Sequence, residues 1–263
     1  MTNIVKITLK GIFRDRVFQG IMVTACAFLL IPGIASLSMR QVTELSLTLS
    51  LSLISFIMLL LSVFLGGTSL WKDIERRYTN SVLGLPLTRG RYLMGKFAGT
   101  AFFTLFVALV LGVAACLVVS WTSTIYPPDR PVVWGNFVLC IFFEAMKYTL
   151  VIALAFLFSS VSTSFFLPVF GTIAIFLAGN VTQQVYEYLH SAAGMKLSPL
   201  IHLFAVGLYY ILPNFSAFNL KVNAIYGIPL SSSGVLLTLV YFVVYTTIVL
   251  SLAVMVFSRR EMR

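Results

Sequence analysis

Only 10% of the 263 residues are charged, and just eight are acidic. No polar stretch is long enough to build an independent soluble core, which excludes a soluble domain appended to the rest. Cys26, Cys116 and Cys140 all sit inside apolar runs without pairwise or metal-ligand spacing. They are therefore read as small buried hydrophobes, not as a disulfide framework. His190 and His202 have no carboxylate or cysteine at ligand spacing, so no metal site is expected. Internal repeats and low-complexity segments are also missing.

What remains is apolar. Hydrophobic residues make up 59% of the chain, the mean hydropathy is +1.00, and several uninterrupted runs reach about 18 residues or more. These features define an all-α integral membrane protein with residues 1–263 forming one domain. The net charge of +10 does not point to nucleic acid. Its basic residues are distributed by loop and lack an aromatic-interleaved polar surface, so membrane orientation accounts for them.

Residues 1–16 place Ile4, Ile7, Gly11 and Ile12 near one helical face, with Lys6, Lys10 and Arg14 largely away from it. That pattern predicts an interfacial helix. The apolar run over 17–38 continues well past the small-x-small site at Ala25-Cys26-Ala27, which favours an uncleaved first span over a signal peptide. Further spans are expected at 45–70, 97–121, 136–159, 165–185 and 234–258. With six crossings, thirteen Lys and Arg fall on the side of the termini and the 72–96 loop, four fall opposite, and Lys147 lies within a span. The termini are thereby assigned to the cytoplasm. Segment 186–233 is ambiguous, because SPLIHLFAVGLYYILP is short and interrupted by Pro199, His202 and Pro213. A seventh crossing would reverse the position of the basic tail, so an outer interfacial or partly inserted segment is expected.

Glu144 and Lys147 stand three residues apart on one face of the fourth span. Either charge costs about 2.5–3.5 kcal/mol at the centre of a span, so neither is expected to face lipid unpaired. They read either as an internal ion pair that fixes packing or as a polar element of a translocation path. Pro168 and Gly171 predict a kink in the fifth span. Asn180, Gln183 and Gln184 toward its other end suit interhelical hydrogen bonds or a polar vestibule. The aromatic stretch Tyr209 to Phe218 fits an interfacial belt, with recognition of an outer partner as the alternative.

The loop at 72–96 carries six of the eighteen basic residues. Ile74, Tyr78 and Val82 fall at i, i+4 and i+8, while Asp73, Glu75, Arg76 and Arg77 point elsewhere. A short helix ending at Pro86 is expected, and Arg89 follows. Gly95 and Gly99 permit close helix approach where the third span begins. A solvated basic loop on anionic headgroups is the simplest reading, and docking of a soluble partner is the other. Gly90 to Lys96 fits G-x-x-x-x-G-K, but Phe97 stands where a P-loop needs Ser or Thr, and no nucleotide-binding fold surrounds it.

The order Glu75, Leu83, Leu85-Pro86, Arg89, Gly95-Lys96, between the second and third spans, resembles the signature of ABC type-2 exporter permeases. The group of copper-enzyme maturation permeases is the nearest in appearance. The likeness covers essentially the whole chain; Tyr78-Thr79 departs from it where the family often has Gly-Thr. The resemblance implies an interfacial elbow helix, six spans, a cytoplasmic coupling helix and an outer re-entrant segment. It further implies a permease without catalytic residues, paired with a second permease subunit, as in a homodimer, in a bacterial inner membrane. Two copies of a separate ATP-binding subunit would hold ATP and Mg, and this chain would hold no cofactor. Asp73, Ile74, Glu75, Arg76, Arg77, Tyr78, Val82, Pro86 and Arg89 become candidates for ATPase coupling, and Glu144, Lys147, Asn180 and Gln183 for the intramembrane polar site. The implied function is outward movement of an unidentified substrate. The alternatives are mechanical transmission to an extracytoplasmic partner and, outside the class, secondary transport through Glu144 and Lys147.

Overall fold

A computed structural model describes residues 2–13, 16–26, 30–36, 41–75, 88–128, 130–191, 194 and 198–259. Regular structure in this part of the chain is helical, without strands. The helices are α1 (Thr2–Phe13), α2 (Arg16–Ala25), α3 (Ile31–Ala35), α4 (Val42–Glu75), α5 (Arg89–Ile125), α6 (Trp134–Val161), α7 (Thr172–Leu189), α8 (Pro199–Ile211), α9 (Lys221–Tyr226) and α10 (Ser232–Arg259). A π-helical turn, Leu167–Gly171, leads into α7, and a 3-10 turn, Phe215–Phe218, separates α8 from α9.

Among the described residues, α4, α5, α6 and α10 are long and apolar enough to cross a membrane. They contain the segments expected at 45–70, 97–121, 136–159 and 234–258. A fifth candidate is the pair Pro199–Ile211 and Phe215–Tyr226, bent by 47° about Pro213. The segment 17–38 holds α2 and α3, with 27–29 and 37–38 outside the described residues. The segment 165–185 holds the π turn and most of α7. The irregularity expected at Pro168 takes the form of that π turn, because proline removes an N–H from the helical ladder.

Both α4 (34 residues) and α5 (37 residues) outrun the roughly 20 residues that cross a hydrocarbon core, so their ends project beyond it. The helical ends absorb much of the region expected as a loop. Helix α4 continues through Asp73, Ile74 and Glu75, while α5 starts at Arg89, its first turn capped by Thr88 Oγ1 accepting from the Arg91 N–H. At the other end of α5, Pro127 and Pro128 follow Tyr126 and stop the helix.

Helix α6 is the axis of the bundle. Most of its side chains are buried, whereas most of those on α10 are not. It packs on α4, α5 and α10 through Leu150, Val151, Ile152, Ala155 and Phe156. Small residues set the close approaches. A Cβ on Gly66 would meet Ala155 at 3.0 Å, and one on Gly112 would meet Ile141 at 3.3 Å. The expected close contact at Gly95 and Gly99 is made with α1: their Cβ positions lie 3.1 Å from Ile4 and 2.9 Å from Thr8. Phe13 and Phe18 then meet Phe103 edge-on at 5.3 and 5.0 Å, fixing the α1–α2 corner on α5. On α1, Ile4, Thr8 and Ile12 are buried, whereas Lys6, Ile7, Lys10 and Gly11 are exposed.

Candidate functional site

The expected functional residues fall into two groups, one at the end of the bundle that carries 72–96 and one deeper within it. Of the first group, Arg76, Arg77, Tyr78, Val82 and Pro86 lie outside the described residues. Ile74 is within α4, and Glu75 is exposed at its end. Asp73 and Arg89 flank the connection, and each is tied back into the bundle.

The Asp73 carboxylate is the centre of a joint between α4 and α5. Lys96 forms an ion pair with it, and Tyr92 donates its hydroxyl to the same oxygen. Lys96 Nζ also donates to the Ser69 carbonyl at 2.7 Å. A charged pair with hydrogen bonds on both partners can be held in this mostly buried place where an unpaired charge could not. Arg89 Nη1 donates to the Ser258 carbonyl at 3.1 Å, at the end of α10 where helical carbonyls lack intrahelical partners. Gly90 lets α10 approach: a Cβ there would meet Val254 at 3.0 Å. Behind these polar links, Ile4, Leu70, Tyr92, Leu93, Ile152, Phe156, Ala253 and Phe257 form a buried cluster. Trp71 adds a bond from Nε1 to the Thr163 carbonyl at 3.3 Å and an edge contact with Phe165. The first side of the 76–87 connection is thus fastened to α5 and to the turn after α6, and the second side to α10.

The second group is built on α6. Glu144 is fully buried, and Lys147 Nζ lies 2.8 Å from its Oε2, as the three-residue spacing requires. A third charge joins them: Lys221 Nζ at the start of α9 lies 3.8 Å from Glu144 Oε1. The hydropathy pattern gave no sign of Lys221 as a partner, since it sits in a segment of mixed polarity between Pro213 and Gly227. The α8–α9 connection brings it inward by burying Phe215 and Phe218, and α9 itself buries Ala224. Asn136 Nδ2 secures the far end of α9 by donating to the carbonyls of Asn223 and Ile228.

Asn180 and Gln183 hold the same segment from α7. Gln183 Oε1 accepts from Asn214 Nδ2 at 2.9 Å and from the Tyr209 hydroxyl at 3.3 Å. The Asn180 carbonyl accepts from Ser216 Oγ at 2.9 Å, while its side chain donates to Phe176 within α7. Gly179 leaves room for the crossing; a Cβ there would sit 2.3 Å from the Pro213 carbonyl. The Gln183 amide makes an interhelical bond, one of the two roles its position in the sequence allowed, whereas the Asn180 amide stays within α7. Glu144, Asn180 and Gln183 therefore act on one object, the bent segment 209–221, while Lys147 pairs with Glu144 on α6. Its aromatics divide: Phe215 and Phe218 are buried in the bundle, and Tyr210 is exposed.

The His190 and His202 rings stand 6.1 Å apart, and His190 Nδ1 contacts the Tyr186 carbonyl. No three metal-ligating side chains gather among the described residues. Gly90 to Lys96 is helical, so beyond the first turn its amides serve α5 and not a phosphate cradle.

No curated protein matches the chain at a significant level. The model of the ABC-2 family transporter proteins matches residues 6–262, nearly the full length that carries both polar groups, and the chain belongs to that family.

Proposed function

We propose that this ABC-2 family permease is the transmembrane subunit of an ATP-binding cassette exporter that moves an unidentified substrate outward. In this reading two copies pair across the membrane. Each receives motion from a separate ATP-binding subunit, which carries ATP and Mg. Six crossings place both termini and the 72–96 region in the cytoplasm of a bacterial cell, in agreement with the distribution of Lys and Arg.

The observation that carries the proposal is the double anchoring of the 76–87 connection. Asp73 fastens its first side to Tyr92 and Lys96, and Arg89 fastens its second side to Ser258. A force applied to the connection by a docked ATPase passes into α4, α5 and α10 as a rigid-body displacement, because charged and buried contacts at its base resist local bending. Tyr78 and Val82, four residues apart in the sequence, supply the apolar contact surface, with Ile74 four residues before Tyr78.

Reconstitution of the permease with its ATPase tests the proposal. ATP-dependent accumulation of substrate in inside-out vesicles is the expected result. Gradient-driven flux without ATPase would overturn the ATP-coupled reading. ATPase activity that responds only to an extracytoplasmic protein, with no solute moved, would replace export by mechanical transmission.

A further inference from the structure

Glu144 has two cationic neighbours, and they belong to different elements of the chain. Lys147, on its own helix, lies at 2.8 Å; Lys221, on the bent segment, lies at 3.8 Å from the other carboxylate oxygen. No hydroxyl or amide among the described residues donates to either oxygen. One carboxylate therefore faces two ammonium groups, one at each oxygen, and the two like charges repel each other across it. The Lys221 side chain is 25% exposed and that of Lys147 only 6%, so Lys221 is the less enclosed of the two by the bundle.

From this geometry we propose that Glu144, Lys147 and Lys221 form an exchangeable latch that holds the 209–226 segment against the bundle and releases it when Glu144 pairs with Lys147 alone. The neighbouring contacts fit a part that docks as a unit. Phe215 and Phe218 enter the core, and the polar links run through Ser216, Asn214 and Asn223. In the latched state Glu144 draws Lys221 and α9 toward α6. In the released state Lys147 neutralises the carboxylate, so no buried charge is stranded when α9 leaves. A pair fixed only for packing does not require the second lysine. The latch concerns the segment within one permease chain, and its existence does not depend on export.

Cys140 gives a direct readout, because its thiol lies beside the backbone N–H of Leu220, next to Lys221. The full-length permease carrying Leu220→Cys, with Cys26 and Cys116 replaced by Ala, is treated with a short bifunctional thiol reagent in nanodiscs without ATPase. Lys221→Met is expected to slow cross-linking between Cys140 and position 220 by about two- to fivefold, the range set by loss of one partly exposed ion pair. Lys147→Met is expected to act in the opposite sense and speed it, since Glu144 then has Lys221 alone. Circular dichroism and size-exclusion profiles of each variant establish that it is folded. Opposed changes support the latch. Changes of the same sign, or no change in either variant, overturn it, and the outcome is independent of whether any substrate is transported.

Discussion

Lys221 Nζ lies 3.8 Å from Oε1 of Glu144, bringing a lysine from the connection before the last long helix to a fully buried carboxylate on the central one. The pair joins two parts of the chain whose sequence patterns are unlike: an unbroken apolar helix and a segment punctuated by Pro213, Asn214 and Asn219. Removing the carboxylate leaves two lysines facing each other in an apolar surrounding. Glu144→Gln is expected to cost about 3–5 kcal/mol of stability, the range for breaking a buried pair from one side. Adding Lys147→Met should restore part of the loss. Thermal unfolding in detergent checks this, and a double variant no more stable than Glu144→Gln would contradict it.

The α1 helix depends on two glycines of α5. A valine at Gly99 meets Thr8, already 2.9 Å from the ideal Cβ, and pushes α1 off its seat. Gly99→Val should lower stability by about 1–3 kcal/mol, the usual cost of overpacking, and expose the α1–α2 corner to protease. Gly11 has nothing within 4 Å of its Cβ position. Gly11→Ala should therefore leave both measurements unchanged or slightly improved, because alanine favours the helix.

Docking of the bent segment on α7 has a similar steric test. At Gly179 the added Cβ would meet the backbone oxygen of Pro213 at 2.3 Å and the Phe215 ring at 2.7 Å, and a backbone atom cannot swing aside as a side chain can. Gly179→Ala should displace the 3-10 turn and make a cysteine placed at Phe215 reactive toward a membrane-impermeant thiol reagent. Unaltered labelling would contradict the packing described here.

Much of this architecture was legible because periodicity and apolar length are local signals. The four long helices follow from their apolar runs. Gly95 and Gly99 announced a close helix contact, and Glu144 and Lys147 announced their pairing through three-residue spacing. The partners that complete the sites were not legible. Asp73 and Lys96 stand on different helices across a connection, and no pattern in the chain links them. Lys221 reaches Glu144 only because Phe215 and Phe218 carry its segment into the core, a tertiary event with no period to read. The ends of α4 and α5 ran past the expected spans for a related reason. Hydropathy falls at residues 72–75 and 89–96, but Lys72, Glu75, Arg89, Arg91 and Lys96 are good helix formers, and packing of Gly90 on α10 and Gly95 on α1 holds the rest helical.

The joint at the base of the connection should govern transmission more than binding. Asp73→Asn removes the charge that Lys96 and Tyr92 share, yet leaves the 76–87 sequence intact. The variant is expected to copurify with the ATP-binding subunit while transport per ATP hydrolysed falls about tenfold, equivalent to about 1.4 kcal/mol of lost coupling. Transport and ATPase activity lowered in equal proportion would contradict a role in transmission.

The docking face itself gives the most direct test. Tyr78→Asp with Val82→Asp places two carboxylates on the apolar contact proposed for the ATP-binding subunit. Affinity purification of the permease from membranes that also contain that subunit, followed by quantification of the ATPase retained and of its substrate-stimulated turnover, reads the contact without assumptions about the substrate's identity. Loss of the retained ATPase, with folded permease still recovered, is the predicted result. Normal copurification together with normal substrate-stimulated turnover would contradict the proposal that ATP-driven motion enters the chain through this connection.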